Sequence, residues 1–383
     1  MVRICRVALD ARPLSTRMSG VGRLISETIK AFPSPELYHF YLFSHLPIHE
    51  DHSDILKLDN VTVVIGGGLF RWKGGLYFNI FIPFYVRRFK FDLFWGSQQV
   101  LPPVLPRSLK AVLTYCDLVL YLYPQTMRRI ARWQQRLFQS YSVRRSSFIL
   151  SISQQTSDDM ASFFNYDKKQ TAVSYPGVNP KQIEALLTKP MSKRFADLGE
   201  GYLLSVSTIE PRKNYPFLLE VFRQYRKMNP TNHREWVIVG KIGWESREFI
   251  EEIRTEQSLF GDLHILDSVG DSDLQHLYKN AGLFLFASHY EGFGIPMLEA
   301  IYHKKYCMVS DIPTFREIGG GGVTYLPNLS KSDASEWASE IYNFCSNPID
   351  PTSDITKFTW ENTAKITEST FRKVLLDSTS TVK

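Results

Sequence analysis

The stretch AGLFLFASHYEGFGIPMLEA, residues 281–300, is typical of a buried strand, a glycine-containing turn and a helix in succession. Pro296 suits the start of that helix, because the N–H that proline lacks would be unpaired there in any residue. Gly292 and Gly294 leave room for a ligand to contact the backbone at the helix start, which is a position that attracts phosphate. Strand, turn and helix in this order are the repeating unit of a parallel α/β sheet.

The same alternation extends outward along both halves of the chain. In the second half the strand candidates are GYLLSVSTIE, EWVIVG, LHILDS, AGLFLFAS and YCMVSD. In the first half they are ICRVALD, HFYLFS, VTVVI, DLFWGS, KAVLTYCD and SSFILSIS. Helical stretches separate several of these segments, so we predict an α/β fold with two tandem doubly wound parallel sheets.

Length supports two domains, since 383 residues with 44% hydrophobic side chains exceed one ordinary core. The pattern is interrupted in YPGVNPKQ by Pro176, Gly177 and Pro180, where we place the boundary. The predicted domains are residues 1–177 and 178–358, followed by a helix in 359–383 that begins near Trp360.

Charge and cysteine content limit the possible partners and location. The net charge of +6 is modest, and no Lys/Arg block is long enough for a nucleic-acid tail, so no nucleic acid partner is predicted. The four cysteines lack metal-type spacing and are expected to be reduced, as in a cytosolic protein. No apolar run approaches the roughly 20 residues of a spanning helix, and none resembles a signal peptide. A cytoplasmic protein, soluble or peripheral to a membrane, is predicted.

Two acids flank the opening turn. Glu291 precedes the helix and Glu299 lies about one turn inside it, so the two are expected to reach different parts of one elongated ligand. Carboxylates accept hydrogen bonds from paired hydroxyls such as those of a sugar or a ribose. The structural alternative is that Glu291 only stabilises the helix start and Glu299 is exposed.

A second charged turn favours the ligand interpretation. SVSTIEPRKN, residues 205–214, ends the first strand of the second half and places Arg212 and Lys213 side by side, as suits a diphosphate. Asn214 is expected to cap the next helix. Doubly wound folds bind ligands at this end of the sheet. The two turns together fit a ligand with hydroxyls at both ends and phosphates between, such as a nucleotide sugar.

With both turns described, the chain resembles the retaining nucleotide-sugar glycosyltransferases of family four, which have the two-domain GT-B fold. Glu291 and Glu299 match the E-x7-E signature, and Arg212 and Lys213 match the Arg/Lys pair of that family. VIVGKIGW and DSVGDSDLQHLYKNA resemble its intervening blocks. In the first half, LDARPLSTRMSGVGR resembles its glycine-containing first loop. DAR and GVGR together resemble mannosyltransferases of bacterial surface-polysaccharide assembly.

The resemblance implies roles for the matched residues. Arg212 and Lys213 would stabilise the leaving nucleoside diphosphate, Glu291 would accept from the donor sugar and Glu299 from the ribose. Asp117, in TYCDLVLYLYP, is the candidate on the acceptor side, with a structural role as the alternative. The other donor-binding residues implied are Gly20, Gly22, Ser207, Gly240, Lys241, Val269, Gly292, Phe293, Gly294 and Ile295.

The resemblance also implies the division of labour and the mechanism. The first domain would bind the acceptor, the second the nucleotide sugar across a cleft, and the final helix would cross back to the first domain. The acceptor hydroxyl would attack from the leaving-group side, with a donor phosphate oxygen taking its proton. No metal or cofactor is expected, because cationic side chains and a helix dipole replace the divalent ion. The DSD at 271–273 is accordingly expected to cap a helix.

Two positions depart from the family pattern. Cys116 stands where the subgroup has His, so any function of an imidazole is absent or is met by backbone. Ser207 replaces a glycine, and its side chain can either crowd the diphosphate or hydrogen-bond to it.

Two segments of the first half combine aromatic and basic residues: GGLYFNIFIPFYVRRFKF, where Pro83 is expected to limit helix length, and MRRIARWQQRLFQSYSVRR. In one interpretation the aromatics pack into the core and the arginines form a solvated face. In the other, the segments bind anionic inner-membrane lipid beside a lipid-linked acceptor. The arginines concerned are Arg87, Arg88, Arg128, Arg132 and Arg136.

We therefore predict a retaining, metal-independent hexosyltransferase of bacterial surface-polysaccharide synthesis (O-antigen, capsule or exopolysaccharide). Mannose from GDP-mannose would pass to a saccharide on a lipid diphosphate, at the cytoplasmic face of the inner membrane. UDP-glucose, UDP-GlcNAc or dTDP-rhamnose as donor, or a GT-B epimerase, are alternatives. A nicotinamide-dependent dehydrogenase is disfavoured because SGVGRLISE has only a Gly-x-Gly, some way after its strand. The non-enzyme alternative is an inactive scaffold of a polysaccharide assembly complex.

Overall fold

The computed structural model describes residues 3–123, 129–195, 197–243, 245, 247–352 and 354–376, without the side chains of 129–134 and 331. The chain divides into two compact units. Unit 1 comprises Met1–Gly177 together with Phe358–Lys383, and unit 2 comprises Val178–Lys357. Each unit contains one parallel sheet, so the predicted pair of doubly wound sheets is confirmed.

The sheet of unit 1 has seven strands in its described residues, in the order β3-β2-β1-β4-β5-β6-β7. The strands are β1 (Cys5–Asp10), β2 (Tyr38–Ser44), β3 (Val61–Ile65), β4 (Leu93–Gly96), β5 (Lys110–Tyr115), β6 (Phe148–Ser151) and β7 (Thr171–Val173). Six of them follow the predicted segments. The edge strand β7 was missed, because its three half-buried residues give no apolar run.

The helices of unit 1 are α1 (Gly20–Lys30), α2 (Leu69–Trp72), α3 (Gly74–Leu76), α4 (Ile82–Phe89), α5 (Val119–Leu122), α6 (Arg129–Arg145), α7 (Gln154–Phe164) and α15 (Trp360–Leu376). A π-helical turn, Tyr77–Phe81, joins α3 to α4. Short 3-10 helices cover Arg12–Ser15, Pro35–Leu37, Glu50–Lys57 and Lys168–Gln170.

Pro83 was expected to limit helix length, but the helical path continues through it. It lies in the first turn of α4, directly after the π-helical turn, and Tyr77 stacks on Phe81 within that turn at 4.8 Å between ring centroids. A π-turn is one way for a helix to absorb a residue that cannot donate a backbone hydrogen bond.

The C-terminal helix completes the core of unit 1. Phe371 on α15 lies 5.7 Å from the Trp95 ring and 6.0 Å from the Phe32 ring, and all three side chains are buried. Aromatic contacts at these separations add to the area that the rings bury. Residues 358–376 therefore fold with the first half of the chain, although they follow unit 2 in sequence.

The sheet of unit 2 has six strands in its described residues, in the order β10-β9-β8-β11-β12-β13. The strands are β8 (Leu203–Val206), β9 (Trp236–Val239), β10 (Leu263–Leu266), β11 (Leu283–Phe286), β12 (Tyr306–Ser310) and β13 (Val323–Leu326). The first five follow predicted segments. The prediction missed β13, a short edge strand that follows a run of glycines.

The helices of unit 2 are α8 (Pro180–Leu187), α9 (Tyr215–Met228), α10 (Arg247–Phe260), α11 (Asp271–Asn280), α12 (Ile295–Tyr302), α13 (Pro313–Gly319) and α14 (Lys331–Ser346). Short 3-10 helices cover Lys193–Phe195, Pro211–Lys213 and Gly320–Gly322. Trp236 and Trp337 are fully buried in the core.

None of the helices in the described part of the chain is both long enough and apolar enough to cross a bilayer. The four cysteines are free thiols.

Candidate functional site

The candidate site of unit 2 lies where its strand order reverses. β8 and β11 are neighbours in the sheet, but the chain leaves β8 toward β9 on one side and β11 toward β12 on the other. In doubly wound sheets the loops after two such strands diverge and leave a crevice at the carboxyl edge. The loop after β8 carries Arg212 and Lys213, and the loop after β11 carries Glu291.

Glu291 is the centre of a buried ionic cluster. Its Oε2 lies 2.8 Å from Arg212 Nη1, its Oε1 pairs with Lys213 Nζ, and Ser288 Oγ donates to Oε1 at 2.7 Å. Burial disfavours the carboxylate, but Arg212 and Lys213 outweigh it and lower the pKa of Glu291 to about 2. Burial also lowers the pKa of Lys213 from its ordinary value, and Glu291 opposes that change. The structure therefore favours the ionised form of Glu291.

Arg212 is held from a second side. Its Nη2 donates to Glu210 Oε1 at 2.8 Å, and its Nη1 donates to the carbonyl of Tyr290 at 2.7 Å. Glu210 is only 5% exposed. The cluster thus contains two cations, Arg212 and Lys213, and two carboxylates, Glu210 and Glu291. The alternative in which Glu291 merely stabilises the start of α12 does not account for these contacts.

Three loops are joined by an asparagine that the sequence did not single out. Asn328, after β13, donates from Nδ2 to the carbonyl of Ala287 at 2.6 Å and accepts from Asn214 Nδ2 at 3.0 Å. Asn214 occupies the N-cap position of α9 as predicted, but its backbone is left-handed, with φ 57°, and its side chain donates to Asn328 instead of capping the helix. This pair fixes the loop after β8 against the loop after β11.

Thr314 and Ser310 support the same loop from α13 and β12. Thr314 Oγ1 donates to the backbone carbonyl of Glu291 at 2.8 Å, and Ser310 Oγ donates to the carbonyl of Ser288 at 2.5 Å. The sequence prediction missed both residues, together with Glu210, Ser288 and Asn328. Glu210 alone had a visible signal, since it is the acid of the Glu-Pro-Arg-Lys-Asn turn.

The turn before α12 is closely packed. Gly294 precedes the helix with φ 124°, a conformation that favours glycine, and a Cβ there would lie 3.0 Å from the Phe315 ring. Gly292 and Phe293 are buried beside it, and Ile295 is the first helical residue. Glu299 is 5% exposed, so the alternative that it is an exposed surface residue is wrong.

Ser207 and Gly240 meet at the ends of β8 and β9. Ser207 Oγ lies 2.8 Å from the Tyr215 hydroxyl, which gives this side chain a partner within the unit. A Cβ on Gly240 would lie 1.9 Å from the Ser207 carbonyl oxygen, so only glycine fits there. Lys241 is exposed and Val269 is half-buried, each in the loop after its strand.

Contrary to the prediction, the acidic DSD segment at 271–273 does not cap α11. Gly270 occupies the N-cap position, and Asp271 and Asp273 lie in the first turn. Asp273 accepts from the backbone N and the hydroxyl of Ser192, at 2.8 and 2.7 Å. Across the part of the chain that the structure describes, no three His, Cys, Asp or Glu side chains are grouped to hold a metal ion.

Gly20 and Gly22 were predicted in a loop, but they occupy the first turn of α1 in unit 1. Ser19 Oγ accepts from the N–H of Gly22 at 3.1 Å and begins the helix. A Cβ on Gly22 would lie 2.8 Å from His52 Cε1, so the close approach to His52 is one reason for glycine here. Gly20 is exposed at the helix start, whereas Gly22 is buried.

Asp117 and Cys116 follow β5 in unit 1. Asp117 Oδ1 accepts from the N–H of Val119 at 3.1 Å, which supports the structural role given as the alternative. Burial, with a further contribution from Asp117, raises the pKa of Cys116 to about 12. Cys116 therefore remains a neutral thiol near neutral pH and does not replace an imidazole.

Arg87 and Arg88 are exposed at the end of α4. By contrast Arg136, on α6, is half-buried over the Tyr121 ring at 5.4 Å. Arg128 and the side chain of Arg132 lie outside the described residues. The predicted basic surface is therefore described only at α4.

Comparison with known proteins identifies the domain that carries the cluster. Residues 189–354 match the family model of glycosyl transferases group 1 and form a group 1 glycosyltransferase domain, as the resemblance predicted. O-antigen chain mannosyltransferase B of Escherichia coli is 27% identical over 248 residues, which cover 63% of this chain and 63% of that protein. O-antigen chain mannosyltransferase RfbU of Salmonella typhimurium is 26% identical over 239 residues, or 62% of each chain. The match thus spans less than two thirds of either relative.

Solved structures extend the likeness to nearly the whole chain. WaaG, a glycosyltransferase involved in lipopolysaccharide biosynthesis, superposes with a TM-score of 0.64 at 14% identity, covering 95% of this chain and 99% of that one. Alr3699/HepE of Anabaena, solved in complex with UDP-glucose, has a TM-score of 0.62 at 15% identity, with 99% and 100% covered. At such identities the likeness establishes the fold, and the predicted GT-B fold is confirmed.

Proposed function

We propose that this protein is a retaining glycosyltransferase of bacterial surface-polysaccharide synthesis, which moves mannose from GDP-mannose to a saccharide carried on a lipid diphosphate. The observation that carries the proposal is the buried cluster of Arg212, Lys213 and Glu291 at the reversal point of a group 1 glycosyltransferase domain. The O-antigen mannosyltransferases among its relatives support mannose as the sugar.

The cluster suits a donor whose leaving group gains negative charge. Arg212 and Lys213 would contact the diphosphate, and their charge would favour its departure in a site that is largely shielded from water. Glu210 and Glu291 hold the two cations in place before the donor binds, so little reorganisation is needed. Glu291 Oε1 and Oε2 would also accept from hydroxyls of the transferred sugar.

The rest of the donor would extend along the start of α12. The buried turn of Gly292, Phe293 and Gly294 would present backbone N–H groups to the sugar and phosphates, beside Ile295, and Glu299 would accept from the ribose. Ser207, Gly240, Lys241 and Val269 would contribute from the neighbouring strand ends. The acceptor oxygen would attack from the leaving-group side and pass its proton to a donor phosphate oxygen, without a metal ion or a protein nucleophile.

Unit 1 would bind the acceptor and bring the enzyme to the cytoplasmic face of the inner membrane. Between Val61 and Lys110 the single acidic residue is Asp92, whose carboxylate accepts from the backbone N of Arg6 at 2.8 Å. The same stretch exposes Trp72 (85%) and Phe84 (69%). With Arg87 and Arg88 exposed nearby in sequence, this composition fits anionic lipid.

Two alternatives stay open at the level of the donor. A UDP sugar as donor is supported by solved neighbours that contain UDP or UDP-glucose. The diphosphate of dTDP-rhamnose would make the same contacts with Arg212 and Lys213. A GT-B epimerase would use a similar diphosphate site without forming a glycoside.

The experiment that tests the proposal is incubation of the purified protein with each nucleotide sugar and lipid-linked saccharides, in the presence of a chelator. We expect a new glycoside from GDP-mannose, with the donor's anomeric configuration retained in the proton NMR spectrum. Lys213→Ala, which removes one cation of the cluster, tests whether the cluster is needed for this transfer. Lys227→Ala, at an exposed lysine on α9, is its matched control. An inverted anomer, a metal requirement, or free epimerised sugar nucleotide would contradict the proposed chemistry.

A further inference from the structure

Unit 2 has a cavity of about 660 Å³ at the amino edge of its sheet. This amino-edge cavity is lined by residues of three segments: 199–202 before β8, 229–235 before β9, and 345–346 at the end of α14. The loops that carry Arg212, Lys213 and Glu291 follow their strands, so a strand length, roughly 10 Å, separates the cavity from that edge. Small-molecule sites occupy roughly 300 to 1,000 Å³, so the cavity has room for a ligand of its own.

Arg234 is the unusual residue of this lining. It is half-buried, and its one side-chain hydrogen bond to a described residue runs from Nη1 to the carbonyl of Gly201 at 3.1 Å. A Cβ on Gly282 would lie 2.1 Å from Nη1, so glycine there leaves the space that the guanidinium occupies. A guanidinium has five N–H donors, and withdrawing its charge from water is costly without a partner. The single carbonyl contact uses neither the charge nor the other donors, and this points to an anion.

The other charged or imidazole side chains of the lining each have a complementary group within reach. They are His233 with Asp262 at 2.8 Å, Glu235 with His264 at 3.1 Å, and Glu200 with Lys305. Burial lowers the pKa of Lys305 from its ordinary value, and the charge of Glu200 opposes that change. In the described lining, Arg234 is therefore the charged residue that no opposite charge balances.

The remainder of the lining offers hydrogen-bond acceptors. Glu200 and Glu235 are exposed at the cavity. The helices α9 and α14 both end there, and the last carbonyls of a helix have no intrahelical donor. Carboxylate and carbonyl oxygens accept from hydroxyl groups. A ligand that carries hydroxyls besides its anionic group therefore matches both parts of the lining.

We propose that the amino-edge cavity binds a small phosphate ester with several hydroxyls, such as a sugar phosphate, with its phosphate on Arg234 and its hydroxyls on Glu200 and Glu235. A phosphate monoester supplies three strong acceptor oxygens, which suit the remaining donors of the guanidinium. The site goes beyond the proposed function and does not depend on it, because it lies at the opposite edge of the sheet from Arg212 and Lys213.

The test is isothermal titration calorimetry of the full chain with mannose 1-phosphate and with inorganic phosphate. Arg234→Met keeps the length of the side chain without its charge, and Asn232→Asp adds a carboxylate at an exposed position of the lining. Arg254→Met, at an exposed arginine on α10, is the matched control. We expect wild type and the control to bind mannose 1-phosphate more tightly than inorganic phosphate. Both cavity variants should bind it at least about tenfold more weakly, because each removes or opposes a hydrogen bond to a charged group.

Lys213→Ala separates the cavity from the cluster at the other edge. A ligand in the cavity still binds Lys213→Ala, whereas a ligand at the cluster is lost there and still binds Arg234→Met. The second pattern, or no binding of either ligand by wild type at millimolar concentration, would overturn the inference. Equal affinities of wild type and Asn232→Asp would also overturn it, and this variant decides the question if Arg234→Met does not fold. Melting curves with GDP report the proposed donor site independently, so failure of one proposal is distinguished from failure of the other.

Discussion

The guanidinium of Arg212 and the carboxylate of Glu291 lie 2.8 Å apart, although they come from loops 79 residues apart in the chain. Both side chains are largely buried, at 14% and 9% exposure. Their contact brings the two turns of the sequence signature together at one reversal point of the sheet. A diphosphate that binds Arg212 would therefore place its sugar close to the Glu291 carboxylate.

Replacing Lys213 should remove transfer and also weaken the fold. Lys213→Ala deletes one of the two cations that would face the proposed diphosphate, and we expect the turnover number to fall at least about 100-fold. Because Glu291 then loses a buried ion-pair partner, the free energy of unfolding should drop by about 3 kcal/mol. Steady-state kinetics and urea denaturation measure the two effects. Wild-type turnover by folded Lys213→Ala protein would show that Lys213 does not stabilise the leaving diphosphate.

Glu210 should act as a positioning residue for Arg212. Glu210→Gln keeps the shape but removes the charge that holds Arg212 Nη2. We expect turnover to fall about tenfold, since charge-assisted hydrogen bonds contribute about 1.5 kcal/mol or more. Glu251→Gln, at an exposed glutamate on α10, is the control. If Glu210→Gln and Glu251→Gln have equal kinetics, Arg212 does not depend on Glu210.

Stability should decrease in acid through Glu291. Its pKa is about 2 in the folded protein and about 4.3 in an unfolded chain, so the folded state binds the proton less readily. The stabilisation is complete above the unfolded pKa and is lost as the pH falls toward 2, a difference of about 3 kcal/mol. The free energy of unfolding, measured by denaturation between pH 5 and about pH 2, should fall less steeply with decreasing pH for Glu291→Gln than for wild type. Equal pH dependence of the two would show that Glu291 is not held as an ion.

Gly240→Ala should separate the ends of β8 and β9. A Cβ there would lie 1.9 Å from the Ser207 carbonyl oxygen. Because that oxygen belongs to the backbone, no side-chain rotation relieves the clash and the backbone must shift. We expect lower thermal stability and weaker donor binding, because the β8 loop carries Arg212 and Lys213. Gly199→Ala is the control, since nothing lies within 4 Å of a Cβ at that exposed position. Nucleotide titrations that give equal affinities for the two variants would argue against this coupling.

The sequence predicted the features that have a local pattern. Continuous apolar segments identified the central strands, and the two charged turns identified Arg212, Lys213 and Glu291, because both turns follow strands that neighbour each other in a doubly wound sheet. The edge strands β7 and β13 were missed, since short, partly exposed strands give little apolar signal.

The contacts that position the cluster were not predictable in the same way. Asn328 joins the loops after β8 and β11 from a third loop, and its partner Asn214 is 114 residues away. No local pattern indicates such a partner, so Asn214 was interpreted as an ordinary helix cap. Likewise, the 2.8 Å contact between the hydroxyls of Ser207 and Tyr215 joins the end of β8 to the start of α9, and no local pattern indicates it.

The most direct test of the central claim is thermal denaturation of the purified protein with GDP, GDP-mannose, UDP and UDP-glucose, each with a chelator, and with NADH for comparison. A ligand that binds the native state raises the melting temperature according to its affinity and concentration. We expect stabilisation by one nucleoside diphosphate series, unchanged by the chelator and reduced in Lys213→Ala but not in Lys227→Ala. Stabilisation by NADH with no response to any nucleoside diphosphate would contradict it.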